Sequence, residues 1–305
     1  MKFPTTRRFV TACFVVAVWC EAPLLADQPS DVTQTASMSS YQHAVYENQA
    51  GEKLNYRVHI PTSGKPDTAK GSDNLKTKLP LVLFLHGAGE RGDDNEAQLK
   101  HGALEFLRNG RDERFPAIVV VPQCPKDKRW VETDWGKTAG DGTFSQPPSE
   151  TMKLVFELLD ELIQRTDVDP ARLYVTGLSM GGYGSWYAAA EYFPGVSKQW
   201  STKRSGTSET TASDSTGGFA AMLAICGGAD PGWADRYAST DLWAVHGDAD
   251  PAVPVTRSRE MVAAIATQGH PGELRYTELP GIGHDSWTAT YADKHTYVWL
   301  FDQVR

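Results

Sequence analysis

A serine, an aspartate and a histidine, in that order along the second half of the chain, have the spacing of an acyl-transfer site. Residues Arg172 to Gly184 read RLYVTGLSMGGYG, an apolar β-branched run that stops at Gly177-Leu178-Ser179-Met180-Gly181 and passes into the small-residue run Gly182 to Ala190. The expected path is strand, sharp turn, helix. A serine at the tip of such a turn has its Oγ lifted clear of the backbone, and glycines two residues either side let strand and helix approach without Cβ collisions. With glycine and serine each near roughly 7% of residues, the pattern arises by chance about one time in ten in a chain of this length, so its weight depends on partners elsewhere.

A serine nucleophile needs a base within hydrogen-bond reach and an acid that fixes the base's tautomer and stabilises its cation. On a hydrolase-type sheet these follow on later strands, the acid before the histidine. The run Leu242 to Val245 ends in His246-Gly247-Asp248-Ala249-Asp250-Pro251, and Leu274 to Leu279 leads into Pro280-Gly281-Ile282-Gly283-His284-Asp285-Ser286-Trp287. His284, in a glycine-flanked loop after the last strand, is the candidate base. His101, His270 and His295 lie on an early helix, on a loop at the other edge and on a late helix, and compete poorly. Asp250 is favoured over Asp248 as the acid because it lies further beyond the strand and is followed by Pro251; Asp248 is the alternative, or else a brace that holds the loop through backbone hydrogen bonds.

The oxyanion of an acyl-transfer intermediate calls for two backbone N–H donors, one of them on the residue after the serine, at a helix start whose dipole favours negative charge. Met180 is that residue. The second donor belongs to the loop after an early strand, and Leu81 to Leu85 is followed by His86-Gly87-Ala88-Gly89-Glu90-Arg91-Gly92, which points to Ala88 N–H. The loop lacks the lysine and Ser/Thr pattern of a nucleotide-binding loop. His86 and Glu90-Arg91 read as braces of the loop.

The elements that must hold these residues are legible as short continuous apolar runs alternating with helical patterns. Leu81 to Leu85, Ile118 to Val121, Leu173 to Val175, Phe219 to Ile225, Leu242 to Val245 and Leu274 to Leu279 are strands covered on both faces. Helices are expected where Leu99, Ala103, Phe106 and Leu107 share one face with Gly110 as a stop, where Val155, Leu158, Leu159, Leu162 and Ile163 form a stripe, over Thr256 to Gln268 ended by Gly269, and over Tyr291 to Gln303. The fold class is α/β, a mostly parallel, doubly wound sheet with ligands outside the carboxyl ends of its strands. It is preceded by an antiparallel hairpin, His43 to Asn48 and Leu54 to Ile60 around Gly51, and by a polar loop from Ser63 to Lys78. Ser197 to Gly218, crowded with Ser, Thr and Gly, reads as a surface insertion or a mobile flap over the site.

The chain has 305 residues, 40% hydrophobic and 22% charged, ample for a large core, and its net charge of -8 with no basic stripe argues against a nucleic-acid partner. Met1 to Ala26 has the layout of an export signal: Lys2, Arg7 and Arg8, then the apolar run Phe9 to Trp19, with cleavage expected after Ala26. The apolar run is short for a membrane span, and Trp19 is a poor neighbour for lipid attachment at Cys20. Residues 27–40 read as a flexible leader before a catalytic domain over residues 41–305. Cys124 and Cys226 then remain, both after apolar strands at one edge of the sheet in a compartment that permits disulfides, and a bridge between them is conceivable.

From about Tyr41 to its end the chain resembles the α/β-hydrolase superfamily, most closely the secreted esterases and predicted peptidases grouped with phospholipase/carboxylesterase and feruloyl-esterase-like proteins. Four ordered motifs carry the resemblance: His86 to Gly92, Gly177 to Gly182, His246 to Asp250 with Val253-Pro254, and Gly283 to Trp287. It implies the triad Ser179, Asp250 and His284, with no metal or cofactor, and carboxylic-ester hydrolysis through an acyl-enzyme. The substrate would be a small-molecule or polysaccharide-linked ester. Trp130, Trp135, Trp233 and Trp287, near the motif loops, could line an aromatic acyl or sugar site or else pack the core. The stretch Cys226 to Thr240 is short where many lipases carry a cap, so an open site without a large lid is expected. A peptidase and a non-catalytic binding protein on the same scaffold are the competing readings.

Overall fold

The computed structural model describes residues 37–61, 78–108, 111–133, 135, 143–197 and 218–305. The export signal, all but the end of the leader, nearly all of the Ser63 to Lys78 loop, the stop at Gly110 and residues 198–217 of the insertion lie outside them. Eight strands form one sheet: β1 (Gln42–Glu47), β2 (Lys53–His59), β3 (Leu79–Leu85), β4 (Ile118–Pro122), β5 (Val168–Leu178), β6 (Ala221–Ile225), β7 (Asp241–Gly247) and β8 (Leu274–Leu279). Their order is β1-β2-β4-β3-β5-β6-β7-β8. The β1–β2 and β2–β4 pairs are antiparallel, and every pair from β4 to β8 is parallel.

Every residue of β3, β4 and β6 is buried, which is why these strands are continuous apolar runs rather than alternating ones. Alternate β3 residues serve two cores. Leu81, Leu83 and Leu85 face one that also takes residues of α1 (Glu150–Leu162), α2 (Met180–Glu191) and α3 (Thr256–Gln268). Val82 and Phe84 face the other, with Tyr291 of α4 (Trp287–Ala292) and Tyr297 and Leu300 of α5 (Lys294–Asp302). β3 is the strand from which the order runs both ways, so the loops after β3 and β5 meet at the switch point where α/β sheets bind ligands.

Two helices differ from the sequence expectation. Leu99 to Leu107 is no α-helix but two 3-10 turns, Ala97–Leu99 and Ala103–Phe106, separated at Gly102 with φ +79°. A Cβ there would stand 2.6 Å from the Tyr291 ring, so close packing breaks the helical path. The expected helix Tyr291 to Gln303 is two, because the Asp293 carboxylate accepts from His295 N–H and starts a second helix at Lys294. The leader is also ordered at its end: Met38–Ser40 forms a 3-10 turn before the buried Tyr41.

Cys124 and Cys226 are buried free thiols, not a disulfide. They do follow strands at the same edge, but β3 and β5 lie between β4 and β6. Three strand spacings amount to about 14 Å, roughly twice the Cα separation a disulfide tolerates.

Candidate active site

The elbow after β5 is set by close backbone approach. A Cβ on Gly181 would stand 1.9 Å from Leu85 O, and one on Gly177 2.5 Å from both Leu85 O and Gly181 O, so α2 packs on β3 only because both positions are glycine. Ser179 is left at φ 53°, ψ -118°, a conformation costly for a residue with a Cβ and over-determined here by the packing and by its N–H bond to Ile225 O at 2.9 Å.

His284 meets this serine from the loop after β8. Its Nε2 is 2.9 Å from Ser179 Oγ and its Nδ1 is 2.7 Å from Asp250 Oδ2. The other Asp250 oxygen accepts from Ala252 N–H at 2.8 Å and Val253 N–H at 3.0 Å. The Asp250 carboxylate is wholly buried, whereas the His284 side chain is 26% exposed. Burial works against ionisation of Asp250, yet the hydrogen bonds from His284, Val253 and Ala252 outweigh it and hold the carboxyl below its usual range. Asp248 has the bracing role instead, accepting from Gly281 N–H at 2.6 Å and so tying the two loops together.

The loop after β3 is held by its histidine. His86 is 1% exposed; its Nδ1 donates to Gly87 O at 2.6 Å and its Nε2 accepts from Cys124 N–H at 2.9 Å, which defines the neutral Nδ1–H tautomer. Burial pushes its pKa down to about 4, with the Gly87 bond opposing. Arg91 Nε donates to Ala88 O at 2.9 Å, and Trp130 Nε1 to His86 O at 3.0 Å. Neither Ala88 N–H nor Met180 N–H donates to an acceptor among the described residues. Met180 is the first residue of α2, where an N–H has no partner within the helix.

The four tryptophans separate. Trp130 is fully buried against His86 and offers no surface to a ligand. Trp233, 8% exposed, packs on Phe144 with the Arg236 guanidinium 3.9 Å from its ring centre. Trp135 is half-buried beneath Arg129. Trp287 alone among them stands against the Ser179–His284–Asp250 cluster, edge-on to His284 with ring centres 5.4 Å apart.

Two residues given no role by the sequence reading join the site. His101 packs against Trp287 with ring centres 5.7 Å apart and planes tilted by 56°, and reaches the buried Glu90 carboxylate at 3.6 Å. His246, at the end of β7, lies 3.3 Å from Asp250 Oδ2. The signal for His246 was its place four residues before Asp250 around a tight turn. Among the described residues, Cys226, Asp250 and His284 form the one group with metal-ligand spacing, their donor atoms within 4.8 Å of one another. Burial keeps the Cys226 thiol protonated, and the other two groups already bond each other.

A serine on a strained strand-to-helix turn, a histidine and aspartate from later strands, and a glycine loop at the switch point of this sheet are the parts of the α/β-hydrolase fold, and the chain has that fold. No protein-family model matches the chain. It is 24% identical over 249 residues to NocK of Nocardia uniformis subsp. tsuyamanensis, a protein to which esterase activity is ascribed, over 79% of this chain and 64% of that one. A crystal structure of a thermostable esterase superposes with a TM-score of 0.69 at 32% identity, over 88% of this chain and 64% of that chain. The feruloyl esterase module from Clostridium thermocellum superposes with a TM-score of 0.55 at 13% identity, over 90% of this chain and 93% of the module, a likeness of fold alone. The chain therefore spans just under two thirds of the length of the first two.

Proposed function

We propose that the protein is an exported serine hydrolase that cleaves carboxylic esters through an acyl-enzyme. The observation that carries this reading is the unbroken chain Ser179 Oγ, His284 Nε2, His284 Nδ1, Asp250 Oδ2, with links of 2.9 and 2.7 Å. Ser179 Oγ attacks the ester carbonyl while His284 Nε2 takes its proton. Asp250 holds the proton on Nδ1 and stabilises the imidazolium. The N–H groups of Met180 and Ala88 receive the oxyanion, the former aided by the positive end of α2. Collapse transfers the proton from His284 to the leaving alcohol, and water repeats the sequence on the acyl-enzyme.

The substrate is a small-molecule or polysaccharide-linked ester, and Trp287 supplies the aromatic surface beside the base. Met1 to Ala26 directs export. The test is a panel of p-nitrophenyl, feruloyl, thioester and peptide substrates run beside Ser179→Ala, together with mass mapping after a fluorophosphonate. Ester turnover that vanishes in Ser179→Ala, with the adduct on Ser179, is the expected result. Absence of both turnover and adduct in the wild type overturns the reading.

A further inference from the structure

Asp250 faces two imidazoles. His246 is completely buried, with Nε2 3.0 Å from Val253 O and 3.3 Å from Asp250 Oδ2. Its Nδ1 is 2.8 Å from Ser258 Oγ on α3, and that hydroxyl is 3.0 Å from Gly227 O. Val253 O and the ionised Asp250 are acceptors only, so the ring proton belongs on Nε2; the opposite tautomer would set the Nε2 lone pair against two oxygens. Ser258 has one proton and can use it in either direction. It donates to Nδ1 of a neutral ring, or accepts from Nδ1–H of a charged ring while donating to Gly227 O. In both states Nε2–H donates to Val253 O, with Asp250 Oδ2 beside it at 3.3 Å.

We propose that His246 is a positioning residue of the site: its Nε2–H, held by Val253 O, stands 3.3 Å from Asp250 Oδ2 and keeps that oxygen directed at His284, while Ser258 accommodates the ring in either charge state. The inference rests on the reading of Asp250 as the acid that orients His284. Oδ1 is held by two backbone N–H groups and Oδ2 by His284 Nδ1–H, with His246 Nε2 3.3 Å from Oδ2 as a second, longer contact. Without His246 Nε2–H, Oδ2 is held by the part-exposed His284 alone, and an error of about 1 Å in such a geometry costs on the order of a hundredfold in rate. Burial lowers the pKa of His246 against the pull of Val253 O and Asp250, which favours the neutral ring near pH 7. The other charged or titratable groups around it are His284 beyond Asp250, Glu278 in register on β8 and paired with Arg259 at 2.7 Å, and Arg257 next to Ser258.

Asparagine and glutamine distinguish this role from general packing, because a glutamine amide nitrogen can stand where Nε2 is and an asparagine nitrogen only where Nδ1 is. His246→Asn is expected to lower kcat for a p-nitrophenyl ester by about tenfold or more with KM within about twofold, and His246→Gln to lose several-fold less. Equal losses in the two variants, or none in His246→Asn, overturn the proposal. Nitrogen-15 spectra of the wild-type histidines at pH 7 give a readout that needs neither turnover nor a folded variant. They should place the His246 proton on Nε2, and an Nδ1–H tautomer overturns the proposal. A wild type that neither hydrolyses esters nor labels at Ser179 would remove the functional reading and leave the tautomer to decide this one.

Discussion

Two glycine-flanked histidines stand in loops at the same edge of the sheet, His86 after β3 and His284 after β8, and their surroundings give them opposite capacities. Both His86 nitrogens are spent on the backbone, at Gly87 O and Cys124 N, and the ring is buried. The His284 nitrogens are on Asp250 and Ser179, and its side chain is a quarter exposed. A proton can move through the second arrangement and has nowhere to go in the first. The difference lies in what each nitrogen touches, and the neighbouring motif residues set that.

The largest effect expected from this contrast is on turnover. His284→Ala or Ser179→Ala should remove up to about 10⁶ in kcat for an activated ester, whereas a His86→Gln protein that folds should retain far more of it; steady-state kinetics on purified variants measure the ratio. Comparable losses from His86 and His284 would dissolve the comparison. A similar contrast holds between the two aspartates after β7. Asp250→Asn should cost on the order of 10⁴ in kcat, by analogy with serine proteases, and Asp248→Asn less than about tenfold, because it braces Gly281 and touches no proton in transit.

The third effect is on stability. An unfolded chain protonates His86 near its ordinary pKa, but the folded protein resists until about pH 4. The unfolded state therefore binds more protons between those limits, and stability falls as pH drops through that window, by about 3 kcal/mol from this ring alone. Urea denaturation at a series of pH values should show the decline, and His86→Gln should flatten it; an unchanged slope would contradict the burial argument. The smallest effect concerns Trp287, the ring edge-on to His284. Trp287→Ala should lower kcat/KM for aryl esters about tenfold more than for acetate, a difference of roughly 1.4 kcal/mol, and equal changes would leave Trp287 without a part in substrate choice.

The strands were legible because burial on both faces demands unbroken apolar runs, and β3 to β7 lie where those runs are. Ser179, His284, Asp250 and the Asp248 brace were legible because strand ends and glycine turns constrain where a polar side chain can stand. Other features depend on contacts between elements distant in sequence. Gly102 breaks a helix because the Tyr291 ring, far along the chain, occupies the space where a Cβ would go. Cys124 and Cys226 follow like strands at one edge, yet the strand order puts two others between them. Trp130 and Trp233 flank motif loops in sequence but turn into the core, while His101, dismissed from its position, arrives beside Trp287. Local patterning says that a residue lies near the strand ends and leaves open which way its side chain points.

The central claim is that Ser179 is acylated through His284 and Asp250. Mixing the protein with excess p-nitrophenyl ester, quenching in acid within the first turnovers and mapping the mass of the peptide that holds Ser179 tests it directly. An acyl group on Ser179, absent from His284→Ala under the same conditions, is the result predicted; hydrolysis that proceeds with Ser179 unmodified and survives Ser179→Ala would contradict it.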